Sequence, residues 1–488
     1  MNLYLIGHDY RYAAEQMLLT LFPDERPEYP DGRPTGDRAE LRLMSGTKVT
    51  TVTCVLVYHG QTANGRTSVP NGELTDPAET DRRLQGAIKR AFYRAAMGIG
   101  LPHRPWGMLT GVRPGKLMTP LLAQGLNDAQ AARQFERQYD VSPARADLVV
   151  RTAHATLRAM ESLGSKDVCL YVGIPFCPTR CAYCSFVSQS VEKSMALVPE
   201  FLQALAREIA ATAEAVRKAG LRVVSLYIGG GTPTTLSARQ LDALCTQLAA
   251  AFDLSALREF TVEAGRPDTI TADKLQVLRA HRVDRISVNP QTLDDRVLDT
   301  IGRRHTAQDI YDALRLVRET GGFAVNMDLI AGLPGDTPDG FRATLEQVLA
   351  LAPENVTVHT LSRKRGSNLM AQDAPIPDGA AVGEMLDFAG TVLPRAGYAP
   401  YYLYRQKFMS GGFENVGWTR PGQENLYNIC IMEELCSILA MGGGASTKLV
   451  RPNGGKLERH IDPKYPTEYI ANIDRICAAK AELEAFFQ

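Results

Sequence analysis

The sequence predicts an α/β fold: a partial (βα)6, TIM-like barrel over residues 166–375, preceded by an α+β accessory domain over 1–165 and followed by a helical and strand lid over 376–488. Three observations predict it. Strand-like runs at 169–174, 223–228, 259–263, 285–288, 324–330 and 355–361 alternate with amphipathic helical segments. The runs are apolar and continuous, as strands are when helices cover both faces of a parallel sheet. Cysteine, glycine-rich and acidic motifs stand just after successive runs, at the strand ends where parallel barrels gather their chemistry.

Composition bounds the rest. In 488 residues, 45% are hydrophobic and 22% charged, the balance of a globular chain with ample core. Lys plus Arg equals Asp plus Glu at 54 each, so no excess of positive charge points to nucleic acid or an anionic surface. Nine cysteines in this length do not make a disulfide scaffold. No stretch approaches the roughly 20 apolar residues of a membrane span, and no signal peptide opens the chain. A cytoplasmic monomer without nucleic-acid or membrane partners is expected.

Taken in order, residues 1–6 read as a short apolar strand and 48–58, rich in Thr and Val, as another. Asn64-Gly65 is a turn signal. Residues 80–97 carry Leu84, Ile88, Ala91, Phe92 and Ala95 at helical spacing, closed by Gly98 and Gly100. The loop around Trp106 follows, with Arg113 and Lys116 either meeting a substrate carboxylate or simply solvated. Two more helices, near 128–139 and 142–163, lead to the polar linker Gly164-Ser-Lys-Asp167. Within the barrel, 198–219 and 236–252 read as helices, the second opened by the capping box Ser237-Ala-Arg-Gln240.

The first barrel strand runs into Cys177, Cys181 and Cys184, a C-x3-C-x2-C spacing. Three thiolates so placed can hold three irons of a cubane cluster and leave the fourth open, where a ferredoxin would supply a fourth cysteine. Zinc usually takes paired Cys or His ligands, and no histidine lies nearby. A redox C-x-x-C at Cys181 and Cys184 leaves Cys177 unexplained; three unrelated buried thiols are the bland alternative. The second strand ends in Gly229-Gly-Gly-Thr-Pro-Thr234, whose glycines allow close backbone approach to a ligand. The third ends at Glu263, a carboxylate that would be costly to bury without a partner. The fourth leads to Gln291 and then Arg304, and the fifth carries Asp328. Each alone reads as a cap or a satisfied core group; their recurrence at successive strand ends is the signal.

The cysteine spacing resembles the signature of the radical S-adenosylmethionine (SAM) enzymes. Tyr171-x-x-Ile-Pro-Phe-Cys, Gly-Gly-Thr-Pro-Thr, Val-Glu263, Gln291, Arg304 and Asn-x-Asp328-Leu-Ile-x-Gly-Leu-Pro, in that order, closely resemble the oxygen-independent coproporphyrinogen III oxidase family over roughly 168–450. The resemblance implies that Cys177, Cys181 and Cys184 ligate a [4Fe-4S] cluster whose open iron is chelated by SAM. It implies SAM contacts from Phe176, Gly230, Gly231, Thr232, Glu263, Gln291, Arg304 and Asp328, with Tyr171 beside them; Tyr171, Glu263 and Arg304 are the expected catalytic set. The implied reaction turns two propionates of coproporphyrinogen III into vinyls through a 5′-deoxyadenosyl radical, with an external electron donor and acceptor. Gly173 stands where the best-known members have His, and Phe186 where they have a fourth Cys.

In the lid, Pro400-Tyr-Tyr-Leu-Tyr-Arg-Gln-Lys407 mixes aromatic and basic residues. Tyr401 and Tyr404 would pack on a tetrapyrrole and Arg405 and Lys407 meet its carboxylates; an edge strand with snorkelling cations is the even alternative. Lys364 and Arg365 form a second such clamp candidate. Gly442-Gly-Gly-Ala-Ser-Thr447 is expected to close the site. Residues 426–431 lack the His of the related haem-chaperone motif. Cys54, Cys245, Cys430, Cys436 and Cys477 read as ordinary buried thiols. Rival readings are a haem ring-opening methyltransferase and a haem-binding chaperone.

Overall fold

The computed structural model describes residues 1–32, 34–184, 189–190, 194–362, 375–406, 410–451 and 457–487. Phe186, Lys364, Arg365 and Lys407 lie outside the described residues. The chain divides into two compact units, Met1–Val112 with Gly125–Leu148, and Arg113–Gln124 with Val149–Gln488. The division falls inside the helix Pro143–Ser162.

The first unit is a four-stranded sheet in the order β1 (Asn2–Ile6), β2 (Arg38–Ser45), β3 (Val49–Tyr58) and β4 (Gln61–Pro70), with β1 and β2 parallel and the other pairs antiparallel. The turn joining β3 to β4 is not at Asn64-Gly65. It lies at His59-Gly60, both at positive φ (47° and 79°), with Tyr58 paired to Gln61; a two-residue hairpin needs that backbone twist. Asn64 and Gly65 sit inside β4, and the glycine serves packing. A Cβ at Gly65 would stand 1.9 Å from the Ala91 carbonyl oxygen of the helix Pro77–Gly98. That helix begins at Asp76, whose carboxylate accepts from the Ala78 and Glu79 amides, and it buries Leu84, Ile88, Ala91, Phe92 and Ala95 as its spacing predicts.

The second unit holds six parallel strands: β5 (Asp167–Ile174), β8 (Arg222–Gly230), β9 (Glu259–Glu263), β10 (Arg285–Ser287), β11 (Ala324–Ala331) and β12 (Asn355–Thr360), adjacent in that order. These are the six predicted runs, displaced by a few residues at most, and they form the partial TIM-like barrel. Between β5 and β8 the cysteine loop carries two short parallel strands, β6 (Phe176–Cys177) and β7 (Gln189–Ser190). The Ser237 capping box is present on the helix Ala238–Ala251.

The C-terminal region supplies strands to both edges of the same sheet. Beside β12, antiparallel, lies β14 (Glu414–Thr419), followed by β13 (Ala399–Arg405). Beside β5, parallel, lies β15 (Ser437–Gly442), continued by β16 (Ser446–Leu449) and β17 (Glu458–Ile461). A buried ion network fastens this region: Lys480 Nζ is 2.9 Å from Glu208 Oε1 and 3.4 Å from Asp462 Oδ2, and donates to the Ala440 carbonyl at 2.6 Å. Among the described residues no helix is long and apolar enough to cross a membrane.

Candidate active site

The cysteine loop and the glycine loop are laced together by backbone. The Gly231 amide donates to the Ile174 carbonyl at 2.8 Å and the Thr232 amide to Phe176 at 2.7 Å. Gly230 has φ +110°, and a Cβ on Gly231 would stand 2.5 Å from the Phe176 oxygen. Only glycine allows this approach. The Thr232 hydroxyl then lies 3.2 Å from the Cys177 sulfur. Phe176 is fully buried and meets Phe201 edge-on at 5.3 Å, which fixes the loop's root.

Two guanidinium groups converge on Cys181. Buried Arg266 donates to the Cys181 sulfur at 3.7 Å and to the Thr179 hydroxyl at 2.9 Å. Arg303, also buried, donates to the Asn289 carbonyl at 2.6 Å. Burial alone would lower the Arg303 pKa, but the neighbouring Tyr183 and Cys181 outweigh it and raise it. Two cations against one thiol suit a thiolate and the anionic cluster it would carry. Arg304, the residue singled out in the sequence, is instead exposed; the turn after the helix Asp295–Thr300 sends its neighbour Arg303 inward. Neither Arg303 nor Arg266 was anticipated. Adjacent arginines give no sequence signal for which one faces in.

The acidic strand ends meet a tyrosine stack. Glu263 is half-buried and accepts a 2.6 Å hydrogen bond from Tyr227 and another from the Gly230 amide. Burial pushes its carboxyl up to about 7; the Tyr227 bond opposes this and the charge of Asp328 adds to it. Tyr227, Tyr427 and Tyr171 pack as a three-ring cluster, with centroids 4.4 Å apart for Tyr227 and Tyr427, 6.1 Å for Tyr227 and Tyr171 and 6.0 Å for Tyr171 and Tyr427. At Gly173, where the best-known members have His, a Cβ would stand 3.0 Å from the Gly443 carbonyl oxygen, a tight contact that the Gly443 backbone would have to relieve by a few tenths of an ångström.

Gln291 adopts φ +65°, costly for a side-chain-bearing residue, held by its amide to Asp328 O (2.9 Å) and its carbonyl to Ile330 N (3.0 Å). Its Oε1 is buried with no hydrogen-bond partner among the described residues. Such an orphan costs about 1–3 kcal/mol, which a ligand donor would relieve. Asp328 accepts from Asn289 Nδ2 at 2.9 Å and Asn326 Nδ2 at 2.8 Å, with His359 Nε2 3.8 Å away. Burial would raise its pKa, but His359 and the bonds from Asn326 and Thr357 hold it below the usual value. Asn289 and His359 were missed; in β12, Asn-Val-Thr-Val-His-Thr, polar residues alternate with valines, so His359 does not stand out from the sequence.

Tyr404 reaches this corner, its hydroxyl 3.5 Å from His359 Nδ1. Arg405, one residue on, turns the other way: it is buried and donates to the Gly412 carbonyl at 2.6 Å from Nη2 and 3.2 Å from Nε. Burial lowers its pKa to about 10 and Glu414 opposes this. Arg405 is therefore a structural cation rather than a substrate clamp. Tyr401 is buried and accepts from Asn428 at 3.2 Å, so it offers no free face either. Arg113 and Lys116 pair with the protein's own Glu434, beside Glu433, whose carboxyl burial pushes up to about 7.

A partial barrel with a three-cysteine loop, a glycine loop and acidic strand ends defines a radical SAM protein, and residues 171–348 match the Radical SAM superfamily. The chain is 39% identical over 422 residues, 84% of each protein, to the oxygen-independent coproporphyrinogen-III oxidase-like protein HemZ of Bacillus subtilis (strain 168). It is 30% identical over 320 residues, 64% of this chain and 78% of the relative, to the heme chaperone HemW of Lactococcus lactis subsp. lactis (strain IL1403). Among solved structures it resembles the coproporphyrinogen III oxidase HemN of Escherichia coli, a radical SAM enzyme, with TM-score 0.51 and 25% identity over 66% of this chain and 72% of that one. The chain belongs to the oxygen-independent coproporphyrinogen III oxidase-like family of radical SAM proteins.

That family binds a [4Fe-4S] cluster and SAM, and the residues present fit both. The loop offers three thiols with cationic support and the strand ends offer an orphaned acceptor. A four-iron cube gives each thiolate its own iron.

Proposed function

We propose that this protein performs the oxygen-independent oxidative decarboxylation of two propionates of coproporphyrinogen III to vinyls, giving protoporphyrinogen IX. The observation that carries the reading is the gathering of the cysteine loop, the glycine loop, Glu263, Gln291 and Asp328 on adjacent parallel strands and the loops that follow them, in a chain similar to HemZ over most of its length. When bound, the cluster and SAM supply a carbon radical able to take one hydrogen atom from a propionate β-carbon. Each propionate then loses carbon dioxide and one electron to an external acceptor, so two SAM molecules serve one product and an external donor supplies the cluster's electrons.

The chain's own work is binding and orientation. Cys177, Cys181 and Cys184 would hold three irons, with Arg266 and Arg303 offsetting the negative charge. Gly230 and Gly231 keep the backbone open to the SAM ammonium, while Thr232 and Phe176 fix the loop. Glu263 would accept from an ammonium or hydroxyl, Gln291 Oε1 would take a donor, and Asp328 is preset as an acceptor by Asn289 and Asn326. Tyr171 lines the same space, and Tyr404 with His359 faces the substrate side.

The test is anaerobic reconstitution followed by assay of 5′-deoxyadenosine and mass spectrometry of the tetrapyrrole. Decarboxylated product dependent on Cys181 is expected. SAM cleavage without decarboxylation overturns the substrate, and a product that gains a methyl selects the methyltransferase. A haem-carrying role is favoured by the similarity to HemW; stoichiometric haem binding without SAM cleavage selects it.

A further inference from the structure

Three of the six cysteines outside the loop also come together. Cys169 on β5, Cys430 on the helix Leu426–Glu433 and Cys436, just before β15, are all buried, and their sulfurs lie within 4.8 Å of one another. They come from three separate elements. The helix ends at Glu434 in the left-handed region (φ +56°), and this sharp reversal, with the Leu435 amide on the Cys430 carbonyl at 3.3 Å, returns Cys436 beside Cys430. Parallel pairing of β15 with β5, Ile438 opposite Cys169, brings in the third sulfur.

We propose that Cys169, Cys430 and Cys436 form a second metal site, for a single thiophilic d10 cation, Zn2+ or Cu+. With a metal–sulfur bond of about 2.3 Å, two thiolates on one tetrahedral ion stand about 3.8 Å apart. Cys169 and Cys436 are 3.6 Å apart. A disulfide would need about 2.05 Å and could join only two of the three. Soft thiolates select Cu+ and Zn2+ among the common cations. The surroundings are apolar, formed by Val224, Ile438, Tyr427 and the partly buried Leu163, Leu426 and Leu435. Burial there opposes free thiolates, and a bound cation offsets that charge, Zn2+ two of the three negative charges and Cu+ one.

The site is not the loop cluster by another route. Cys169 stands near the start of β5 and the loop follows its end, five residues or about 16 Å further along the strand. Between them lies the stack of Tyr171, Tyr227 and Tyr427. The proposal does not depend on the proposed reaction.

The test uses the full chain carrying Cys177→Ala, Cys181→Ala and Cys184→Ala, which removes the loop ligands. Anaerobic titration with Co2+ should give one equivalent bound, read as near-ultraviolet thiolate-to-cobalt absorption. Zn2+ should displace it, and a parallel titration with Cu+ identifies the preferred ion. Adding Cys430→Ser or Cys436→Ser should weaken binding at least tenfold, while Cys245→Ser should not. If the triple variant fails to fold, zinc and copper counted per wild-type chain decide: about one such ion in addition to the cluster iron, lost in Cys436→Ser. No bound metal in either protein, or binding that persists in Cys430→Ser, overturns the proposal.

Discussion

Glu259 and Glu263 stand four residues apart on β9, on the same face of the strand. Both carboxyls are raised by burial, yet the two ends do different work. Glu259 is buried and fully engaged: it accepts from the Ser225 hydroxyl at 2.9 Å and from the Leu426 and Tyr427 amides at 2.8 and 2.7 Å, capping the helix Leu426–Glu433. Glu263 is half-buried, bonded to Tyr227 and the glycine loop and within reach of the Asp328 charge. A polar group whose partners are all protein is holding the fold. One that is only half-buried, as Glu263 is, keeps part of its carboxylate open to a further partner.

The comparison can be broken in graded steps. Cys181→Ala should cost at least about 1,000-fold in SAM cleavage, roughly 4 kcal/mol of transition-state stabilisation, while circular dichroism and melting stay near wild type. Glu259→Ala should cost about 3 kcal/mol in chemical denaturation, because three buried donors lose their acceptor. Glu263→Ala should leave stability within about 1 kcal/mol and instead weaken SAM binding, measured by calorimetry. Reversal of these two outcomes would undo the contrast.

Charge sharpens it further. Arg303→Ala should lower SAM cleavage by roughly 30-fold, about 2 kcal/mol, with Arg304→Ala within about twofold of wild type. For pH, the folded Glu263 carboxyl titrates at about 7 against an ordinary value of 4.5. Its protonated form is favoured by folding, so this stability is present below the ordinary value and lost as pH rises through about 7. Glu263→Gln should therefore gain roughly 1–2 kcal/mol relative to wild type from about pH 5 to about pH 8. SAM affinity of the wild type should rise over the same window, because the carboxylate is the better acceptor.

The barrel was legible because its strands are apolar runs separated by helices, a local signal. The candidate ligand contacts Cys177, Glu263, Gln291 and Asp328 were picked out because Cys177 and Gln291 follow β5 and β10, Glu263 ends β9 and Asp328 lies within β11. What escaped depends on details below that grain. Arg303 and Arg304 are told apart by a turn's geometry, and Arg405 faces away from Tyr404 by strand alternation. His59-Gly60 turns while Asn64-Gly65 does not, because a helix presses on Gly65. The meeting of Cys169, Cys430 and Cys436 needs a pairing between segments far apart in sequence, which no local pattern announces.

The two edges of the barrel sheet are finished by its last segments, β14 on one side and β15 on the other. During synthesis β5 therefore emerges early and keeps a bare flank until nearly the whole chain has left the ribosome, an open template for pairing with other chains. A premature stop before residue 414 would release a barrel with both flanks uncovered, and such a product should aggregate rather than persist as a smaller enzyme.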